Sequence, residues 1–129
     1  MKTWQLLLTP LIVQKMRLLR SFQFAINGFK ICAKEPNFKI HIALAILAVI
    51  LGLLLHISKT EWMLVSICIA ILLGFEMLNT AIEQICNLIH PEFSPAIKII
   101  KDVSAAAVLI VAIMAAICGA IIFIPKIFF

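Results

Sequence analysis

The sequence predicts an all-α membrane protein with one amphipathic surface helix followed by three transmembrane helices. Of its 129 residues, 64% are hydrophobic, and the mean hydropathy is +1.18, well beyond the apolar share of a soluble domain. Long uncharged runs alternate with short polar or proline-containing connections, as expected for helices that cross a bilayer and return. Lys and Arg are unevenly distributed around those runs. The length fits a single domain, 1–129.

The N-terminal part predicts a helix lying in the membrane interface. Residues 1–13 are apolar, but Pro10 interrupts the run and no small-x-small cleavage site follows, so we expect no signal peptide. Over about 14–34, basic and amide side chains recur with a helical period, opposite an apolar side. The polar side consists of Arg20, Gln23, Asn27, Lys30 and Lys34. Pro36 ends this helix.

Three membrane spans are predicted over about 38–58, 60–88 and 96–124. The connection between the first two is short, so the second returns antiparallel to the first. The loop before the third contains Pro91 and Pro95, and the chain is uncharged from Val103 to Pro125. The third span is rich in alanine, including Ala112 and Ala116. Small side chains let helices approach closely in lipid, so we expect this helix to make protein contacts.

Charge indicates the orientation of the chain and argues against nucleic acid. Nine Lys/Arg lie on the side of the N-terminus and the second connection, against Lys59 and Lys126 on the other side. This asymmetry places the N-terminus in the cytoplasm. The net charge of +5 is not gathered into an aromatic-flanked groove, so we expect no nucleic-acid partner. There is no phosphate-binding G-x-x-x-x-G-K-[ST] loop, and the cysteines lack metal-ligand spacing.

A polar face in the second span is the strongest candidate for a functional site. Glu76, Asn79 and Glu83 are spaced i, i+3, i+7 and therefore share one side of a helix, together with Thr80 and Asn87. Carboxylates inside a membrane span are costly and by default mark function. From spacing alone, the alternative is a polar seam that pairs helices.

Two segments resemble a known family. Glu-Met-Leu-Asn-Thr-Ala-Ile-Glu (76–83) and Lys-Asp-Val-Ser-Ala-Ala-Ala-Val (101–108) resemble the signature of the small prokaryotic integral-membrane lipid kinases, the diacylglycerol and undecaprenol kinases. The similarity runs from about Arg17 to Lys126. It implies ATP- and Mg²⁺-dependent phosphorylation of the hydroxyl of a membrane lipid alcohol. Diacylglycerol would become phosphatidic acid, or undecaprenol would become undecaprenyl phosphate. It also implies a homotrimer with composite sites in the bacterial inner membrane, active at the cytoplasmic face.

The resemblance assigns roles to individual residues. Glu76 matches the catalytic base and Asn79 its supporting amide, while Glu35 and Glu83 match magnesium ligands that also serve the nucleotide. The remaining matches are at the nucleotide: Arg17, Glu92, Phe93, Ser94, Lys101 and Asp102. The chain departs from the family pattern at Asn87, where Asp is usual, and at Ser104, where Gly or Ala is common.

A non-catalytic membrane protein is the alternative, either a helical scaffold or a transporter subunit in which Glu76 and Glu83 pack helices or relay protons. A transporter more often has internal repeats, and none is found. A scaffold has no reason to combine the Glu76–Glu83 face with Lys101-Asp102. We therefore favour the kinase, with the choice between diacylglycerol and undecaprenol left open.

Overall fold

The computed structural model describes residues 3–89 and 94–128, with side chains from residue 16 onward, and these residues form four helices. The helices are α1 (Thr3–Cys32), α2 (Pro36–Leu54), α3 (Lys59–Ile89) and α4 (Pro95–Phe128). By length and composition, α2, α3 and α4 can each cross a membrane. The predicted all-α membrane fold is confirmed. The chain divides into two compact units, Met1–Lys34 and Glu35–Phe129.

The first unit consists of α1, which begins at Thr3 and so extends well before the predicted start at residue 14. Pro10 lies inside it. Proline removes one backbone donor and can kink a helix without ending it, and here the helix continues on both sides. Both basic and large apolar side chains of α1 are exposed, including Leu18, Phe22 and Phe24.

In the second unit, α2 begins and ends at sharply defined positions. Glu35 is the N-cap residue, and Pro36 follows it in the first turn. The missing N–H of a proline costs nothing there, because the first N–H groups of a helix have no partner within the helix. The helix ends at Leu54, earlier than the predicted residue 58, because His56 adopts a left-handed backbone with φ of 49°. The N–H of Ile57 then donates to the carbonyl of Gly52, and that of His56 to Leu53, the pattern of a Schellman motif.

The first turn of α3 is closed by reciprocal hydrogen bonds between Ser58 and Glu61. The N–H of Ser58 donates to Glu61 Oε2 (2.6 Å), and the N–H of Glu61 donates to Ser58 Oγ (3.3 Å), which is a capping box. Glu61 Oε1 also lies 3.3 Å from Lys126 Nζ, near the end of α4. Because Lys101 near the start of α4 contacts Asn87 near the end of α3, these two helices run antiparallel.

α4 is longer than the predicted 96–124 and continues through Pro125 to Phe128. A proline in the last turn removes only one hydrogen bond, so it does not have to terminate the helix. The apolar core of the second unit lies at this end and consists of Ile57, Val65, Ile122 and Phe123, with Trp62 packed against it. Most other large apolar side chains of α2–α4 are exposed, as suits helices surrounded by lipid tails.

Gly52 allows α2 and α3 to approach closely, which leads to a stability prediction. A Cβ at Gly52 would lie 2.9 Å from Trp62 Cη2 and 3.0 Å from Ile57 Cδ1, whereas one at Gly74 would meet nothing within 4 Å. We expect Gly52→Leu to lower the free energy of unfolding by about 1–3 kcal/mol through overpacking. Gly74→Leu is the matched control and should change it far less. Thermal unfolding of the purified variants in detergent checks this, and equal melting temperatures would contradict the close packing.

Candidate active site

Polar side chains of α3 are buried on the side of the helix that carries Glu76. Glu76 is 3% exposed, Asn79 6% and Thr80 4%, although α3 is otherwise largely apolar. These positions recur every three or four residues, so they form one stripe along the helix. A charged or amide side chain is buried in a membrane span only where other polar groups meet it, and α4 supplies such groups.

A chain of hydrogen bonds joins α4 to this polar stripe. The hydroxyl of Ser104, itself buried, donates to Asn79 Oδ1 (2.5 Å), and Asn79 Nδ2 donates to Glu83 Oε1 (3.2 Å). The two contacts use opposite ends of the Asn79 amide, so together they define which way it faces. Glu83 is therefore oriented by an amide that α4 holds in place. Sequence reasoning assigned Ser104 no role, because its partner lies on another helix.

Lys101 and Asp102, adjacent in the chain, reach different surroundings. Lys101 Nζ donates to Asn87 Oδ1 (2.7 Å) and so joins the polar stripe of α3. Asp102 pairs instead with Lys98 (2.5 Å between Oδ2 and Nζ), with a side chain that is 62% exposed. Successive residues on a helix point about 100° apart, so both cannot face α3. Within one chain, Lys101 lies at the site and Asp102 on the exposed side of α4.

Two residues at the start of α2, the N-cap residue Glu35 and His41, interact electrostatically with Glu76. Glu83 interacts with the same carboxyl group. Glu35 was expected at the site from the family resemblance. His41 was not, because nothing in its spacing along α2 connects it to Glu76. The bundle brings α2 and α3 together and thereby adds this histidine.

The carboxylate oxygens of this site are compatible with a Mg²⁺ ion that is bound partly by the protein and partly by substrate phosphates. Among the described residues, no group of three or more His, Cys, Asp or Glu side chains could hold a metal ion. Mg²⁺ prefers oxygen ligands, keeps several waters and is commonly bound by one or two carboxylates plus substrate phosphates. Two glutamates, Glu35 and Glu83, fit that requirement without a complete protein cage.

The resemblance assigns four other residues to the nucleotide: Arg17, Glu92, Phe93 and Ser94. Glu92 and Phe93 lie outside the described residues. Ser94 immediately precedes α4, and its carbonyl accepts the N–H of Lys98 (2.9 Å). Arg17 belongs to α1, in the other compact unit, where its carbonyl accepts a hydrogen bond from Ser21 Oγ (3.0 Å). Their roles at a nucleotide remain predictions.

The contact between Ser104 and Asn79 can be tested by removing one hydroxyl. Ser104→Ala leaves Asn79 Oδ1 without this donor, so we expect a loss of about 1 kcal/mol in the free energy of unfolding, typical of hydrogen bonds between membrane helices. Ser66→Ala, an exposed position on α3, is the matched control. Denaturant titration in detergent should separate the two variants. Identical unfolding midpoints would show that the bond contributes nothing.

Fold and site together define a helical membrane protein with a buried carboxylate–amide cluster near one end of its spans. The sequence matches the prokaryotic diacylglycerol kinase family over residues 23–123. It is 39% identical to an undecaprenol kinase of Bacillus subtilis over 111 residues, 85% of this chain and 90% of that protein. It is 32% identical to a diacylglycerol kinase of Synechocystis sp. over 110 residues, 84% of this chain and 63% of that protein.

The chain belongs to the prokaryotic diacylglycerol kinase family. The prediction of a lipid kinase is confirmed at the level of that family, which favours an enzyme over the scaffold or transporter alternative. Because the match covers α2, α3 and most of α4, the elements that carry the buried cluster are the part of the chain that the family shares.

Proposed function

We propose that this protein transfers the γ-phosphoryl group of ATP to the hydroxyl of a membrane lipid alcohol, with the Glu76 cluster as its catalytic site. The main support for this proposal is the burial of Glu76 on the side of α3 that carries Asn79 and Glu83. Asn79 is hydrogen-bonded to both Glu83 and Ser104. A buried carboxylate surrounded by oriented polar groups is suited to proton abstraction. The family match supplies the reaction class.

Glu76 is the general base. Its carboxylate accepts the proton of the lipid hydroxyl as that oxygen forms a bond to the γ-phosphorus of ATP. The bond between this phosphorus and the β,γ-bridging oxygen breaks, and ADP leaves with the electron pair. Phosphoryl transfer requires little covalent assistance beyond such a base, positioning and charge neutralisation. Asn79 supports the base by holding neighbouring groups in place.

Glu83 and Glu35 would hold Mg²⁺ together with the ATP phosphates. When bound, the ion supplies positive charge that neutralises the phosphate oxygens. On the protein side, the Asn79 amide orients the Glu83 carboxylate, and Glu35 sits at the N-terminus of α2. Both carboxylates act near Glu76, so the nucleotide phosphates and the lipid hydroxyl would meet there.

The remaining nucleotide contacts would come from the cytoplasmic ends of the helices and from neighbouring subunits. Lys101, held by Asn87, provides a cation on the α4 side. The other residues assigned by the resemblance are Arg17, Glu92, Phe93, Ser94 and Asp102. Asp102 lies on the exposed side of α4, paired with Lys98. In the homotrimer that the resemblance implies, neighbouring subunits would complete each other's sites.

The site would face the cytoplasm of a bacterial inner membrane. Nine of the eleven Lys/Arg lie either before α2 or at the helix ends where the Glu76 cluster lies. Positive residues concentrate on the cytoplasmic side of a membrane. ATP is available on that side. The bilayer itself supplies the second substrate.

The lipid is proposed to be undecaprenol, with diacylglycerol as the second candidate. The undecaprenol kinase relative is both more similar and matched over more of its own length than the diacylglycerol kinase relative. We expect purified protein, offered both lipids side by side with radiolabelled ATP, to show at least tenfold higher kcat/KM for undecaprenol. Such a preference corresponds to about 1.4 kcal/mol in the transition state. A preference for diacylglycerol would overturn the choice of lipid, and label in neither lipid would overturn the proposed reaction.

A further inference from the structure

Lys101 is held in place by a neutral partner. Its ammonium group donates a hydrogen bond to Asn87 Oδ1 over 2.7 Å, across the contact between α3 and α4. Because a lysine ammonium can only donate hydrogen bonds, the amide oxygen of Asn87 must face it. Among the described residues, carboxylates pair with Lys98 and Lys126, and none pairs with Lys101. The contact therefore fixes the position of Lys101 without cancelling its charge.

The excess positive charge near the start of α4 resides on Lys101. Three charged residues lie there, namely Lys98, Lys101 and Asp102. Lys98 and Asp102 form an ion pair on the exposed side of the helix, so their charges balance. Lys101 turns instead towards α3 and its neutral amide.

Glu83 lies between the two contacts that join α4 to the polar stripe of α3. On one side Ser104 donates to Asn79, and on the other Lys101 donates to Asn87. Glu83 is four residues from each asparagine, so about one helical turn, roughly 6 Å, separates it from each contact. Glu83 and Lys101 are not an ion pair in the structure. A carboxylate and an ammonium group thus lie near each other without neutralising each other.

Two separated charges of this kind suit a metal–polyphosphate ligand. A divalent cation such as Mg²⁺ takes carboxylate oxygens, whereas a lysine ammonium binds phosphate as a point charge. An ion pair between the two side chains would leave neither for the ligand. A carboxylate at position 87 would hold Lys101 more tightly, because both partners would then be charged. The neutral amide is the weaker tether, but it leaves the positive charge available.

We infer that Asn87 is a positioning residue that holds Lys101 apart from Glu83, so that the ammonium group stays free to bind a phosphate of the nucleotide. The nucleotide and the metal role of Glu83 rest on the proposed function. The separation of the two charges rests on the contacts between α3 and α4.

Asn87→Asp tests the need for a neutral partner. The side chain keeps its size, and the new carboxylate pairs with Lys101. We expect the KM for ATP to rise about fivefold, the size of one ion pair near a surface, with the KM for the lipid unchanged and no fall in the unfolding midpoint. Gln84→Glu adds the same charge at an exposed position of α3 and should change the KM for ATP far less. A parental KM for ATP in Asn87→Asp would overturn the inference, because a purely structural tether tolerates this change.

A double-mutant cycle tests whether Asn87 acts through Lys101. In Lys101→Gln the lysine charge is already gone, so adding Asn87→Asp has nothing to neutralise and should raise the KM for ATP by less than about twofold. An equal rise in both backgrounds would mean that the new carboxylate repels the nucleotide directly, which would overturn the inference.

Asn87→Ala tests the separation of the charges. Without its tether, Lys101 is free to pair with Glu83, about one turn away. We expect this variant to need several-fold more Mg²⁺ for half-maximal activity as well as more ATP, whereas Asn87→Asp should keep the parental magnesium requirement. A parental magnesium requirement in Asn87→Ala would overturn the proposed separation.

Binding of a fluorescent ATP analogue with Mg²⁺, measured without lipid, separates this inference from the proposed function. Weaker binding by Asn87→Asp than by Gln84→Glu, in a protein that phosphorylates no lipid, would support the role of Asn87 while contradicting the kinase reaction. Equal binding by these two variants, in a protein that phosphorylates lipid, would overturn the inference and leave the reaction intact. A parent protein that binds no analogue would also overturn the inference.

Discussion

Glu76→Gln should reduce the rate of lipid phosphorylation by about 10²–10⁴-fold, the usual contribution of a general base. The amide keeps the volume of the carboxylate and can still form hydrogen bonds at this buried position, but it cannot accept the hydroxyl proton. Insertion into the membrane and assembly should therefore survive. Steady-state assays of the purified variant with radiolabelled ATP measure the effect.

Glu61→Gln is the matched control for this result. Glu61 lies at the opposite end of α3, where it caps the helix and pairs with Lys126, so its loss should affect stability more than catalysis. A Glu76→Gln protein that phosphorylates lipid near the parental rate would contradict the role of Glu76. Loss of assembly together with activity would instead support a polar seam that pairs helices.

Glu83→Gln should also lower activity, by at least about 10–100-fold, because even groups that only support a metal ligand contribute that much. Glutamine retains an oxygen that can accept the hydrogen bond from Asn79 Nδ2, so the local packing should persist. What is lost is the negative charge that attracts Mg²⁺. The expected signature is a higher magnesium requirement, measured as activity over a magnesium titration.

The comparison between the two glutamates identifies their separate roles. Raised magnesium should partly restore Glu83→Gln, because mass action compensates for a weakened site. It should not restore Glu76→Gln, whose defect is in proton transfer. Equal magnesium dependence in the parent and in Glu83→Gln would remove Glu83 from the metal site.

The helical periodicity of α3 was sufficient to predict its polar stripe. Glu76, Asn79 and Glu83 are separated by intervals that one helix brings to one side, and the structure buries Glu76 and Asn79 and bonds Asn79 to Glu83. The number and type of the membrane helices followed in the same way from the length of uncharged runs. Both features depend on local patterns, which a single sequence displays directly.

Contacts between helices were not predictable in this way. Ser104 of α4 donates to Asn79, and His41 of α2 interacts electrostatically with Glu76. No spacing rule relates positions on different helices. Lys101 contacts Asn87 of α3, whereas Asp102 pairs with Lys98 of its own helix. This difference likewise depends on how α4 is rotated against α3. The early end of α2 arises from a left-handed histidine, a conformation usually signalled by glycine.

A single-turnover experiment tests most directly whether the Glu76 cluster is the place where phosphate is transferred. Purified enzyme in excess over radiolabelled ATP, mixed with lipid and quenched at short times, separates the chemical step from binding and product release. We predict rapid formation of labelled lipid by the parent and, in Glu76→Gln, unchanged ATP binding with transfer slowed at least about 10²-fold. Transfer by Glu76→Gln at the parental single-turnover rate would contradict the assignment of the catalytic site.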